Sequence, residues 1–235
     1  MKMPRALPGL VAACACAGAP AAAPAATVPG SSQTARVFVP TVARAAPGVG
    51  ARPVMRLHSY TAFSRVNQVL MVTGEATDPA GRRWVRVALP KRPNGASGWV
   101  PASHVALKTI RVRIRVRLGA RTLEIWRSGR RVFQTRVGVG TGATPTPRGS
   151  FAVQDPVPTL ASERPVYGPY IITLTAYSNV LRSFLGGNGL VAIHGTSDRS
   201  SIGRAVSHGC IRVPNGALRR VRAAAAAGVP VDIVR

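Results

Sequence analysis

The sequence predicts a mostly β protein, with a small all-β module followed by a larger β-rich domain that has one helix in its C-terminal region. Three observations predict this. Short runs rich in Val, Ile, Thr and Trp alternate apolar and polar residues with a period of two. Turn material such as "DPAG", "KRPNGA" and Ser128-Gly129 separates them. Only "GALRRVRAAAAAG" carries a helical signature. Apolar residues make up 46% of the 235, enough to bury a core and to argue against wholesale disorder.

Residues 1–28 read as an export signal, with Lys2 and Arg5 ahead of the weakly apolar "ALPGLVAACACAGAPAAAPAA". Pro8, Gly9 and Pro20 interrupt that run and alanine drives insertion poorly, which argues against a retained membrane helix. Two processing routes stay open. Residues 21–28 suit an ordinary signal peptidase, whereas "VAAC" resembles a bacterial lipobox that would place a lipid on Cys14. Both put the mature domains outside the cytoplasm, with membrane contact only through the leader or a lipid anchor. Residues 29–52, rich in Pro, Gly and Ala, read as a flexible linker.

Residues 53–108 form the first β module. In "WVRVALP", Trp84, Arg86 and Ala88 alternate with Val85, Val87 and Leu89, as in a half-buried strand. The pattern "WVRVALP" followed by "SGWVPASHV" resembles bacterial SH3-like domains, which implies a small barrel. Trp84 and Trp99 are expected to fill its core rather than hold a ligand. His58 and His104 have no neighbour suggesting catalysis and are read as structural or surface residues.

Residues 109–235 form the second domain. "IRVRIRVRL" alternates throughout, so it reads as a strand with one solvated arginine face that discourages edge-to-edge pairing. "RTLEIWRSGRRVFQTRVGVG" is a hairpin turning at Ser128-Gly129. "TGATPTPRGSFAV" is a Pro- and Gly-rich loop leading into a strand. Asn215 is the expected N-cap of the helix, Gly228 its stop, and "VPVDIVR" the closing strand.

The charge excludes some functions and favours others. Lys plus Arg number 32 against 7 Asp plus Glu, a formal net of +25, so the surface attracts polyanions. Anionic wall polymer suits an exported protein; nucleic acid does not, and no basic helix or interleaved aromatics accompany the arginines. The five carboxylates past residue 108 (Glu124, Asp155, Glu163, Asp198 and Asp232) are scattered, so a paired-carboxylate glycosidase or an acidic metal cage finds no support. With Cys14 and Cys16 in the leader, the remaining cysteine builds neither a zinc cluster nor a disulfide framework. No metal and no cofactor is expected.

That remaining cysteine lies in "VAIHGTSDRSSIGRAVSHGCIRV", residues 191–213. A thiol attacks carbonyls as thiolate, so Cys210 needs a base, positive surroundings and donors for an oxyanion. His194 stands sixteen positions earlier, far enough for a strand-loop-strand return to bring the two together. Gly209 permits a tight turn that aims the N–H groups of Gly209 and Cys210 at a developing charge. Arg212 shares a strand face with Cys210 and would favour thiolate or grip a substrate carboxylate. Ile211 and Val213 would point inward. A lone buried cysteine is often only a small hydrophobe, His194 can be a core histidine, and His208 can merely hold the turn. An unpaired thiol in an oxidising compartment, set among His, Gly and Arg, favours the catalytic reading.

"IHGT" followed by "SHGCIRV", together with the upstream "GVGTGATPTPRGSFAV", resembles the L,D-transpeptidases, the YkuD-like family. The resemblance spans about residues 109–235. It implies a β-rich catalytic domain with Cys210 as nucleophile and His194 as general base, the base oriented by a main-chain carbonyl. Amides around His208, Gly209 and Cys210 would form the oxyanion hole. Ser207, His208, Gly195 and Arg212 would shape the site, and residues between Gly168 and Gly189 would cover it. The implied reaction joins peptidoglycan stem peptides through 3→3 cross-links; resolution by water would make the same site a carboxypeptidase. Acylation by carbapenems is implied too. NlpC-type wall endopeptidases share the parts, but their cysteine precedes the histidine. A non-enzymatic wall-binding adaptor is the third reading, and the intact His-Gly-Cys-Ile-Arg set speaks against it.

Overall fold

The computed structural model describes residues 30–183 and 186–235. The leader expected at 1–28, with Cys14, lies outside the described residues. Two sheets carry most of the chain. The first holds β1 (Ser32–Val37), β2 (Thr41–Arg44), β3 (Pro53–Leu57), β4 (Val69–Thr77), β5 (Arg83–Ala88), β6 (Ser97–Pro101) and β7 (Val105–Ile110), in the order β3-β2-β6-β5-β4-β1-β7.

This corrects the expected linker over 29–52. Strand β1 is an interior strand, pairing antiparallel with both β4 and the edge strand β7, and it buries Thr34, Ala35 and Val37. The Pro and Gly residues that suggested a spacer (Pro40, Pro47, Gly48 and Gly50) fall in the turns flanking β2. The core unites Val37, Ala43, Leu57, Val85, Val87 and Val100. Trp84 and Trp99 are buried, as expected, and Trp84 Nε1 donates to Asp78 at 3.0 Å.

One residue, Arg111, separates β7 from β8 (Val112–Arg117), so the sheets meet inside the run read as a single strand. Unbroken alternation gave no sign of that change of sheet. The second domain continues with β9 (Thr122–Arg127), β10 (Arg130–Arg136), β11 (Val139–Gly140), β12 (Gly149–Pro158), the one-turn α1 (Arg164–Tyr167) and β13 (Tyr170–Tyr177). Then come β14 (Leu190–Thr196), β15 (Ala205–Ser207), β16 (Ile211–Pro214), α2 (Asn215–Ala224) and β17 (Pro230–Val234). Eight of these strands form one sheet in the order β10-β9-β8-β17-β12-β13-β14-β16, while β11 and β15 pair in parallel beside it.

Strand β8 lies between β9 and β17, so its arginines do not guard an edge. They pair instead. Arg113 meets Asp232 at 2.7 Å, Arg117 meets Glu124 at 3.0 Å, and Arg115 stacks over Trp126. The β9–β10 hairpin turns at Ser128 and Gly129, both at positive φ (47° and 77°), the two-residue geometry that matches strand twist.

Helix α2 buries Leu218, Val221 and Ala224 against the sheet. Its expected caps are corrected. Pro214 holds the N-cap position and Asn215 is already helical, its Oδ1 lying against Gly168 and Gly195. The helix ends at Ala224, four residues before Gly228, which serves the turn into β17 at φ 84°.

Candidate active site

Strand β14 lies between antiparallel β13 and parallel β16. Alternation divides its residues between two environments. Ile211 and Val213 are fully buried in the core, as expected, and so is Ile193. Ala192, His194, Cys210 and Arg212 face the other way, into a cavity of about 540 Å³ that Ser207, His208, Tyr167 and Phe63 also line. Register sets His194 opposite Arg212, and just before β16 begins the Ala192 main chain hydrogen-bonds Cys210. The fold thus brings His194 on β14 and Cys210 at the entry to β16 into one cavity, as diagonal neighbours.

His194 is buried, and its Nδ1 lies 2.7 Å from the carbonyl oxygen of Gly195. A carbonyl only accepts, so Nδ1 carries the proton and Nε2 keeps its lone pair. The Tyr167 ring packs edge-on against the imidazole, centroids 5.1 Å apart. Burial pushes the imidazole down to about 4, with the Arg212 charge acting the same way against the opposing Gly195 hydrogen bond. At neutral pH the ring is neutral, the form a general base requires.

Cys210 is half-exposed to the cavity, yet the protein mass around its sulfur leaves it poorly hydrated. Burial pushes the thiol up, outweighing a hydrogen bond from the Ala192 main chain and the pull of Arg212. Arg212 therefore acts in the expected direction but does not prevail. Both shifts favour neutral thiol and neutral imidazole over an ion pair. Arg212 also faces Asp198 at 3.8 Å, and Asp198 caps the short turn Arg199–Ser201.

The turn carrying Cys210 is braced from two sides. Ser207 Oγ donates to the Cys210 carbonyl at 2.6 Å and accepts from Gly209 N–H at 3.2 Å. The Gly209 N–H expected at the oxyanion is thus engaged by Ser207. Gly209 has φ 117°, a conformation that accounts for its lacking a side chain. From the loop after β11, Thr144 Oγ1 donates to the Ser207 carbonyl and Thr146 Oγ1 to that of Gly209, at 3.1 and 2.9 Å.

Gly195 does not line the cavity. A Cβ there would collide with Asn215 Oδ1 and sit 3.0 Å from Gly168 Cα, so its role is close packing plus the carbonyl that orients His194. His208 lines the cavity as expected. Sequence reasoning missed Tyr167, Thr144, Thr146, Asp198 and Phe63. "TGATPT" pointed to the loop but not to its hydroxyls; Phe63 gave no sign. Among the described residues no group of three His, Cys, Asp or Glu is gathered for a metal. No helix among them is long and apolar enough to cross a membrane.

Comparison with known proteins bears on the same region. The family model described as YkuD, L,D-transpeptidase catalytic domain, matches residues 111–233. The chain is similar to the putative L,D-transpeptidase YkuD of Bacillus licheniformis, 36% identical over 107 residues. It is 32% identical over 107 residues to that of Bacillus subtilis. Each match covers 46% of this chain and 56% of the relative, so the chain spans about half the length of these relatives. A solved L,D-transpeptidase from Mycobacterium smegmatis is 19% identical, covering 68% of this chain and 80% of that one, with a TM-score of 0.42.

Proposed function

The chain belongs to the family of L,D-transpeptidase (YkuD) catalytic domains, and from that premise we propose that it is an exported peptidoglycan transpeptidase forming 3→3 cross-links by cysteine acyl transfer. One observation carries the reading. A neutral imidazole with its Nε2 lone pair available shares a cavity with the thiol of Cys210.

In the proposed cycle, His194 Nε2 takes the thiol proton as Sγ attacks the carbonyl of the third stem residue. Keeping the thiol protonated until attack avoids holding a thiolate in a poorly hydrated site. The Cys210 N–H, in the turn that Ser207 holds, is offered to the oxyanion. Collapse breaks the amide C–N bond, and the imidazolium returns its proton to the departing D-alanine amine, leaving a thioester. The side-chain amine of a second stem then attacks the thioester carbonyl, His194 removes its extra proton, and Sγ leaves to recover that proton. The Gly195 carbonyl holds Nδ1–H throughout, so the ring need not change tautomer.

Both substrates are stem peptides of an anionic wall, which a net charge of +25 concentrates near the enzyme. No cofactor enters the cycle. Incubation with disaccharide-tetrapeptide, followed by mass spectrometry, tests the reading. A dimer lacking one terminal alanine is expected. Trimmed monomer alone would make the enzyme a carboxypeptidase, and unchanged tetrapeptide would overturn the acyl-transfer reading.

A further inference from the structure

The second domain does not close the reaction cavity by itself. Phe63, from the β3–β4 connection of the first sheet, lines the cavity together with Val157, Val166, Ile171 and Leu181 of the second domain. Phe63 is 56% exposed, a large apolar residue left uncovered by the fold. Its neighbour is fastened. Ser64 N–H donates to one oxygen of Asp155 at 3.0 Å and its hydroxyl donates to the other, while Asp155 on β12 is completely buried.

Strand register fixes where this latch sits. Asp155 lies opposite Thr173, Thr173 opposite Ala192, and the Ala192 main chain hydrogen-bonds Cys210, the residue just before β16. Residues directly opposite one another share a face of the sheet. With neighbouring strands about 4.8 Å apart, the latch stands three strands, roughly 14 Å, from Cys210 on the catalytic face. An extended peptide of about four residues spans that distance.

A second loop bolts the sheets together. Arg92 donates to the carbonyls of Ser178 and Leu181 at 2.5 and 3.0 Å. Asn94 bonds both the N–H and the carbonyl of Tyr177, and Tyr177 OH donates to the Pro90 carbonyl at 2.9 Å. Phe63 is therefore held over the cavity by the fold. Arg212 is the only charged side chain among the described residues lining it. That asymmetry gives a bound donor a direction, with its terminal carboxylate toward Arg212 and an aliphatic stretch toward Phe63.

We propose that Phe63 is a specificity-determining residue of the acyl-donor site, packing on the aliphatic part of the stem peptide while the Ser64–Asp155 latch holds it in place. The assignment rests on the transpeptidase reading of Cys210. The first sheet is then a wall of the active site as well as a module beside it.

Steady-state turnover of disaccharide-tetrapeptide by the full chain tests this. Phe63→Ala lowers kcat/KM about tenfold, almost wholly through KM, the loss expected when an apolar contact is removed. Phe63→Leu returns KM toward the wild-type value. Ser64→Ala raises KM in the same sense, and combining it with Phe63→Ala adds little, because both changes remove one contact. Thermal melts show each variant folded, since Phe63 is not a core residue and Ser64→Ala keeps the main-chain N–H on Asp155. Wild-type KM in Phe63→Ala, or a loss confined to kcat, overturns the inference and leaves the transpeptidase reading standing. Wild-type protein that leaves the tetrapeptide intact removes both.

Discussion

Asp78 in the first sheet and Asp155 in the second are both buried carboxylates satisfied by a short loop, but the loops come from different places. Asp78 accepts from Ala80 N–H, Arg82 N–H and Trp84 Nε1, all within six residues of itself. Asp155 accepts from Ser64, ninety-one residues away in the other sheet. The first sheet therefore satisfies this buried carboxylate from its own chain segment. The second leaves a buried carboxylate to be met from outside, on its catalytic face. Their histidines differ in the same way. His104 is tied to the Thr41 side chain at 2.8 Å, whereas His194 gives Nδ1 to a carbonyl and keeps Nε2 for the cavity.

This contrast can be broken at several points. The largest effect belongs to Cys210→Ala, which abolishes the covalent mass adduct expected with a carbapenem; an adduct of equal yield would show that the sulfur is not the nucleophile.

Next comes His194→Ala, which slows acylation at least about hundredfold, while His104→Ala leaves the rate unchanged. The pH profile sharpens the point. With the folded imidazole at about 4, below its ordinary value near 6.5, the base stays neutral and acylation stays level until pH approaches 4. An acid limb centred near 6.5 would identify a different, solvated base. Stability carries the matching sign. The unfolded chain takes up this proton near pH 6.5 and the folded chain does not, so stability falls as pH drops from about 6.5 to about 4, and His194→Asn flattens that window.

The smallest effect tests whether Asp78 serves only its own sheet. Asp78→Ala strands the indole N–H of Trp84 and lowers Tm by several degrees, with donor KM unchanged. A KM shift as large as that of Phe63→Ala would mean that the first sheet communicates with the cavity through its core as well as through its loop.

What the sequence disclosed follows the range of the interactions involved. Period-two alternation placed Ile114 and Val116 inside, and Ile211 and Val213 behind the site, because a strand's two faces are a local property. The Ser128–Gly129 turn was legible for the same reason. The pairing of His194 with Cys210 was legible because the two share one short segment of chain. Partners distant in sequence stayed hidden. Strands β1 and β2 looked like spacer because pairing with β4, β6 and β7 makes them strands, and their own composition does not. Gly195 looked like part of a substrate site, yet its lack of a side chain answers Gly168 and Asn215 behind the sheet. Phe63 shows no periodicity, and its position depends on a carboxylate in the other domain.

The single-residue passage through Arg111 has a mechanical consequence. One residue offers only two soft dihedrals, and loops on both sides of it are already anchored across the junction. The two sheets cannot swing apart without breaking those anchors, so the span between the Phe63 ring and the Cys210 sulfur behaves as a fixed gauge. Such a gauge admits ligands by their dimensions and does not reshape itself around each one.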